Sequence, residues 1–138
     1  MKHFEVGEDI FNMLSNIDDP LWADVILDAN NDKIPKIYPV IAKQYSYDEQ
    51  VITCPFVTYR RTSFRPYSNK DYTEEAVYMD ITIVTTTYNE SVNLANIAAD
   101  ALDRHSTDLI DYIQITNTRE DYIADAYVQV ISIEVSLK

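Results

Sequence analysis

Glycine is almost missing: the 138-residue chain holds one, Gly7, where average usage near 7% supplies about ten. That scarcity excludes whole classes of site. A phosphate-cradling loop or a dinucleotide fingerprint needs several glycines so that backbone amides can approach phosphate oxygens. The nucleophile elbow of hydrolases needs them too. Turns must fall instead on asparagine, aspartate and proline, as in "DANNDKIP", "YSNKD" and "NTRED".

Cysteine and histidine are nearly as scarce. Cys54 stands alone, so no internal disulfide forms, and its neighbours Val51, Ile52 and Phe56 point to a buried, inert thiol. This cysteine usage fits a reducing cytoplasm. The two histidines, His3 and His105, lie far apart and form no zinc-type cluster with Cys54, so no metal or other cofactor is expected. No apolar run reaches the roughly 20 residues of a membrane-spanning helix. The opening "MKHFEVGEDIFNMLSNIDD" lacks an apolar signal core and a cleavage site, so no signal peptide is expected.

Positive charge is the last shortage. Eleven Lys and Arg face 23 Asp and Glu, giving a net charge of −12. Affinity for nucleic acid rests on neutralising phosphates, so this chain is not expected to seek it. Acid pairs occur at Asp18–Asp19, Glu74–Glu75 and Glu120–Asp121. Adjacent carboxylates on a strand point to opposite faces, and in turns they face water, so none reads as a general acid–base pair.

What is present describes an ordinary globular chain, 46% hydrophobic and 25% charged. Its length fits a single domain, residues 1–138. Glu8–Asn16 spaces Ile10, Phe11 and Leu14 as an amphipathic helix. "DDPLWADVIL" reads as a capped short helix, with Asp19 as N-cap, Pro20 at the first position and Leu21, Trp22, Val25 and Ile26 inward. Lys36–Ala42 is a short strand that Pro39 confines to an edge.

From Pro55 the pattern turns to β. "FVTYRRTSF" and Ala76–Tyr88 form a long hairpin with Val77, Met79, Ile81 and Ile83 on one face. "NESVNLANIAADALDRH" is a helix with Asn89 as its N-cap, a stripe of Leu94, Ile97, Ala98, Ala101 and Leu102, and His105 at its negative end. Strands at Asp111–Thr118 and Tyr122–Leu137 follow, joined at "TRED". The expected fold is α+β: an antiparallel sheet of four to five strands with two main helices on one face.

The charge is unevenly spread. Residues 1–59 carry −6 and residues 71–138 carry −10, while residues 60–70 carry +4 from Arg60, Arg61, Arg65 and Lys70. Strict alternation puts Arg60 on one face of its strand and Arg61 and Arg65 on the other. These residues balance the acidic surface and keep the strand soluble, or meet a neighbour's carboxylates at a protein interface, for which the forked guanidinium is suited, or form a nucleic-acid site, which the acidic flanking segments oppose. Tyr59, Tyr67, Tyr72 and Tyr78 flank them, and tyrosine with arginine is enriched at binding hot spots. The interface candidates are therefore Arg60, Arg61, Arg65, Tyr67, Lys70 and Tyr72.

The succession "IYPVIA", "PFVTYRRTS", "VYMDITIVTTTY", "ANIAADALD" and "DAYVQVISIEV" resembles the tail-completion proteins of long-tailed bacteriophages, their tail-terminator and head-to-tail joining subunits. The resemblance spans Ile10 to Lys138. It implies a non-enzymatic virion protein, assembled in the bacterial cytoplasm, that forms a homo-oligomeric ring, usually of six. Such a ring caps the tail tube protein and docks to a head-completion or portal-side connector, while DNA passes through the lumen without specific binding. An acidic wall would repel phosphates, and the basic segment would offset repulsion between subunits. The other functional class open to such a chain is a small acidic enzyme or ligand-binding domain with a pocket against the sheet.

Overall fold

The computed structural model describes residues 4–27, 35–40, 54–65 and 75–138. Helix α1, Val6–Ser15, buries Val6, Ile10 and Leu14, one residue per turn along a single stripe. Asn16 ends it, its N–H reaching back to the Asn12 and Met13 carbonyls. The short helix α2, Pro20–Trp22, begins as its sequence dictates. The Asp19 carboxylate accepts the Leu21 and Trp22 amides at 2.9 and 3.3 Å, and Pro20 occupies the first turn, where no amide is needed. A π-helical turn, Ala23–Leu27, continues it and buries Ile26. Trp22 is fully buried, and its Nε1–H donates to the Leu14 carbonyl at 2.9 Å, satisfying an acceptor that the end of α1 leaves unpaired. Leu21 was expected inward, but in so short a turn it faces solvent while Trp22 takes the core position.

Five strands follow: β1 Ile37–Pro39, β2 Phe56–Arg65, β3 Ala76–Thr85, β4 Ile110–Ile123 and β5 Ala126–Leu137, with α3, Tyr88–Leu102, between β3 and β4. They form one sheet in the order β1-β2-β3-β5-β4. The fold is α+β as expected, but the sheet is mixed. β1 lies parallel to β2, while every other pairing is antiparallel. Residues 40–55 separate those two strands, room enough for the crossover that a parallel pair requires. Pro39 sits on an edge strand, where its missing donor costs no ladder bond.

The core lies between the sheet and the helices. Val77, Met79, Ile81 and Ile83 of β3 pair across the ladder with, or lie beside, Ile131, Ile133 and Val135 of β5, and all are buried. Burying one such aliphatic side chain contributes about 1.5–3 kcal/mol, so this row decides which face the helices cover. Helix α3 packs on β3 and β5, and α1 packs on β2, β1 and α3. Ser91, Leu94, Ala98 and Leu102 form the buried stripe of α3.

Both ends of α3 differ from expectation. Its N-cap is Thr87, two residues before Asn89: Thr87 is extended and its hydroxyl accepts the Glu90 amide at 3.3 Å. Threonine with glutamate three residues on is the capping-box pairing, which outcompetes an asparagine placed inside the first turn. At the other end Asp103 is the C-cap and Arg104 takes a left-handed conformation, φ 60°. His105 therefore lies beyond the helix, exposed, its N–H donating to the Leu102 carbonyl at 3.2 Å.

The expected break at "TRED" is absent. Thr118–Asp121 continue β4 in register with β5, and the chain reverses at Ala124–Asp125. Their φ angles of 51° and 63° make a two-residue reversal of the left-handed kind that matches the twist of paired strands. The ladder to β5 overrides the local turn preference of these polar residues.

Candidate interaction surfaces

The three arginines of β2 are sorted by a bulge. Pairing with β3 runs Arg60↔Asp80 and Arg61↔Met79, skips Thr62, and resumes Ser63↔Tyr78 and Arg65↔Ala76. An inserted residue reverses the alternation beyond it. Arg65 therefore shares the helix-free face with Arg60, and only Arg61 points to the helix side, a correction to strict alternation.

Each arginine then has a different neighbour. Arg61 stands over the Phe4 ring with its guanidinium carbon 4.7 Å from the centroid. Arg65 forms an ion pair with Glu134 at 3.2 Å, and the Tyr78 hydroxyl lies 3.4 Å from the same carboxylate oxygen. Arg60 is exposed and makes no ion pair among the described residues. Its cross-strand neighbour Asp80 accepts instead from the Ser132 hydroxyl at 2.7 Å. β1 pairs with β2 only as far as Tyr59, so Arg60 begins a stretch where β2 is the edge of the described sheet. Tyr67, Lys70, Tyr72 and the hairpin tip lie outside the described residues.

A second surface, which sequence reasoning missed, forms at the opposite edge. Tyr122 of β4 and Tyr127 of β5 face each other across the ladder with ring centroids 4.9 Å apart, and Tyr88 at the start of α3 meets Tyr127 edge-on at 5.8 Å. The Tyr88 hydroxyl donates to Glu120 Oε2 at 3.0 Å, and Gln129 Nε2 donates to the same oxygen at 3.0 Å. Gln129 also reaches Ser91 Oγ at 3.2 Å. Tyr88, Glu120, Asp121, Tyr122, Tyr127 and Gln129 line an open groove of about 260 Å³. Hydrogen bonding to Glu120 pushes the Tyr88 phenol above its ordinary value, because ionisation would set a phenolate against a carboxylate. The nearby Asp125 carboxylate pushes Tyr122 up in the same way. No signal marks this cluster in the sequence, since it depends on the position of the β4–β5 turn.

Two other grooves are lined more by apolar than by polar surface. One of about 490 Å³ runs between α1 and the end of α3, lined by Met13, Ile17, Ala101, His105 and Thr107, whose hydroxyl donates to Asp9 Oδ2 at 2.6 Å. Another of about 260 Å³ lies beside Phe4, Val40, Tyr59 and Arg61. Cys54 is half-buried, and burial pushes its thiol above the ordinary value, away from a nucleophilic thiolate. Burial lowers the Lys36 ammonium. Among the described residues no group of three His, Cys, Asp or Glu side chains is placed to hold a metal ion, and no helix is long and apolar enough to cross a membrane.

No family model matches the chain, and no curated protein matches it in sequence. A chain in the structure of the virion of a native gene transfer agent particle does match in three dimensions. The TM-score is 0.69 at 12% sequence identity, covering 93% of this chain and 90% of that one. At that identity the likeness is one of fold: the same arrangement of sheet and helices, over nearly the full length of both chains.

Proposed function

We propose that this chain is a structural subunit of a phage-like virion and acts at the head–tail junction by assembly, with no catalytic step. The observation that carries the reading is the likeness to a virion chain over nearly the whole length of both. The resemblance of the strand and helix sequences to tail-completion proteins supports it independently. In this reading copies of the single domain close into a ring, six in number, that ends the tail tube and joins it to the head connector.

The charge distribution fits a ring traversed by DNA. Helices α1 to α3 and the π-helical turn carry Glu8, Asp9, Asp24, Glu90 and Asp100 and no lysine or arginine. On the helix-free sheet face, by contrast, Arg60, Arg65 and Arg119 balance Asp80, Asp121 and Glu134. The helical layer therefore carries −5 of the net −12 while the helix-free sheet face is balanced, and this reading turns the helical layer toward the lumen. Six copies carry about −72 formal charges. Fields from that wall persist over a screening length of about 8–10 Å, so phosphates are repelled and the genome slides instead of binding.

Native mass spectrometry at moderate salt, together with electron microscopy of purified particles, tests the proposal. A ring-sized oligomer and density at the neck support it. A monomer that binds a metabolite, or fully infectious particles lacking the polypeptide, overturns it.

A further inference from the structure

We propose that the tyrosine groove at the β4–β5 end is an arginine-binding site, and that Arg60 of a second copy of this chain occupies it. The inference rests on the ring reading above and supplies its contact. Three phenol rings border one groove, their faces electron-rich, with Tyr88 and Tyr122 47% and 56% exposed. A guanidinium is attracted to such faces and stacks flat on them.

The acceptor geometry suits the same ligand. Both internal hydrogen bonds to Glu120 fall on Oε2, and Oε1 accepts none among the described residues. The groove also includes Asp121. A carboxylate with an open oxygen beside an aromatic face is what a planar, forked cation recognises, whereas a compact ammonium lacks the fork for two parallel bonds and the plane for stacking.

The chain itself offers the matching group. Of the three arginines of β2, Arg61 covers Phe4 and Arg65 pairs with Glu134, while Arg60 is exposed without an ion pair among the described residues. Arg60 lies where β2 becomes an edge of the described sheet, and the groove lies at β4, the opposite edge of that sheet. One surface meeting a different surface of the next copy is the heterologous contact that a closed ring requires.

The experiment uses the full-length chain with Arg60→Glu, or Arg60→Gln should the first fold poorly, so that the groove stays unoccupied whatever the wild type's oligomeric state. A capped peptide of residues 57–65, VTYRRTSFR, is titrated against ¹³C-labelled tyrosine rings. Saturable shifts at Tyr88, Tyr122 and Tyr127 are expected. Affinity should fall about fivefold or more with alanine at the peptide's Arg60 position, and likewise with Glu120→Gln in the protein. No shift at those three rings, or equal affinity for the alanine peptide, overturns the proposal. Native mass spectrometry of the wild type separates the two readings. A ring whose tyrosines ignore the peptide keeps the ring and removes this contact. A monomer whose tyrosines bind it keeps the site and removes the unaided ring.

Discussion

A chain with one glycine must bend somewhere without it, and the β4–β5 turn is where that cost can be measured. Ala124 and Asp125 hold φ angles of 51° and 63°, in the left-handed region where a Cβ crowds its carbonyl. That crowding costs roughly 1–2 kcal/mol for an ordinary residue. Asparagine tolerates the region better, so Ala124→Asn should recover about 0.5–1 kcal/mol. Glycine removes the crowding entirely but loosens the unfolded chain by about 0.4–1 kcal/mol, so Ala124→Gly should gain less than its sterics suggest. For a chain of this length, Ala124→Asn should raise the unfolding midpoint by about 2–4 °C. Thermal and urea unfolding followed by circular dichroism would show it, the urea slope staying constant because the exposed surface does not change. Ala126→Asn, one residue into β5, serves as the control and should destabilise, since asparagine is disfavoured in strands. A neutral or lowered midpoint for Ala124→Asn would refute the reasoning, because the left-handed backbone would then carry no recoverable cost.

Trp22→Phe should destabilise by roughly 2 kcal/mol or more in chemical denaturation, since it opens a small cavity and strips the Leu14 carbonyl of its donor. Among the β2 arginines, Arg65→Ala should cost the monomer about 0.2–1 kcal/mol through its half-exposed pair with Glu134. Arg60→Ala should leave the monomer within about 0.5 kcal/mol yet weaken assembly, read by comparing unfolding with sedimentation velocity. Tyr88 should ionise above its ordinary 10.0, and Glu120→Gln should bring it down, as a pH titration of the ring carbons would report. The sign follows from linkage: a raised folded-state value stabilises below pH 10 and is lost as the pH climbs through it.

Much of the fold was legible because it depends on local pattern. The alternation of Val77, Met79, Ile81 and Ile83 marked β3 and its buried face, and Asp19-Pro20 marked the start of α2. Two of the errors share one cause. Asn89 was outcompeted as a cap by Thr87, whose hydroxyl reaches Glu90, and "TRED" was held in β4 by its ladder to β5. In both places a turn-favouring residue type was present and a neighbouring contact decided otherwise. The same misplaced turn hid the tyrosine groove, because Tyr122 and Tyr127 oppose each other only when the reversal falls at Ala124–Asp125.

Composition alone settled what this chain lacks: the glycines of a phosphate loop, a second cysteine and a cluster of histidines, while its acidity followed from simple counting. Those conclusions need no coordinates, because absent side chains cannot be supplied by folding. The tertiary structure decided which arginine is available. A single inserted residue at Thr62 turned Arg65 back toward Glu134, and the end of β1 at Pro39 left Arg60 on an edge of the described sheet. Register and strand order are set by long-range packing, and so no reading of β2 in isolation could distinguish three neighbouring cations.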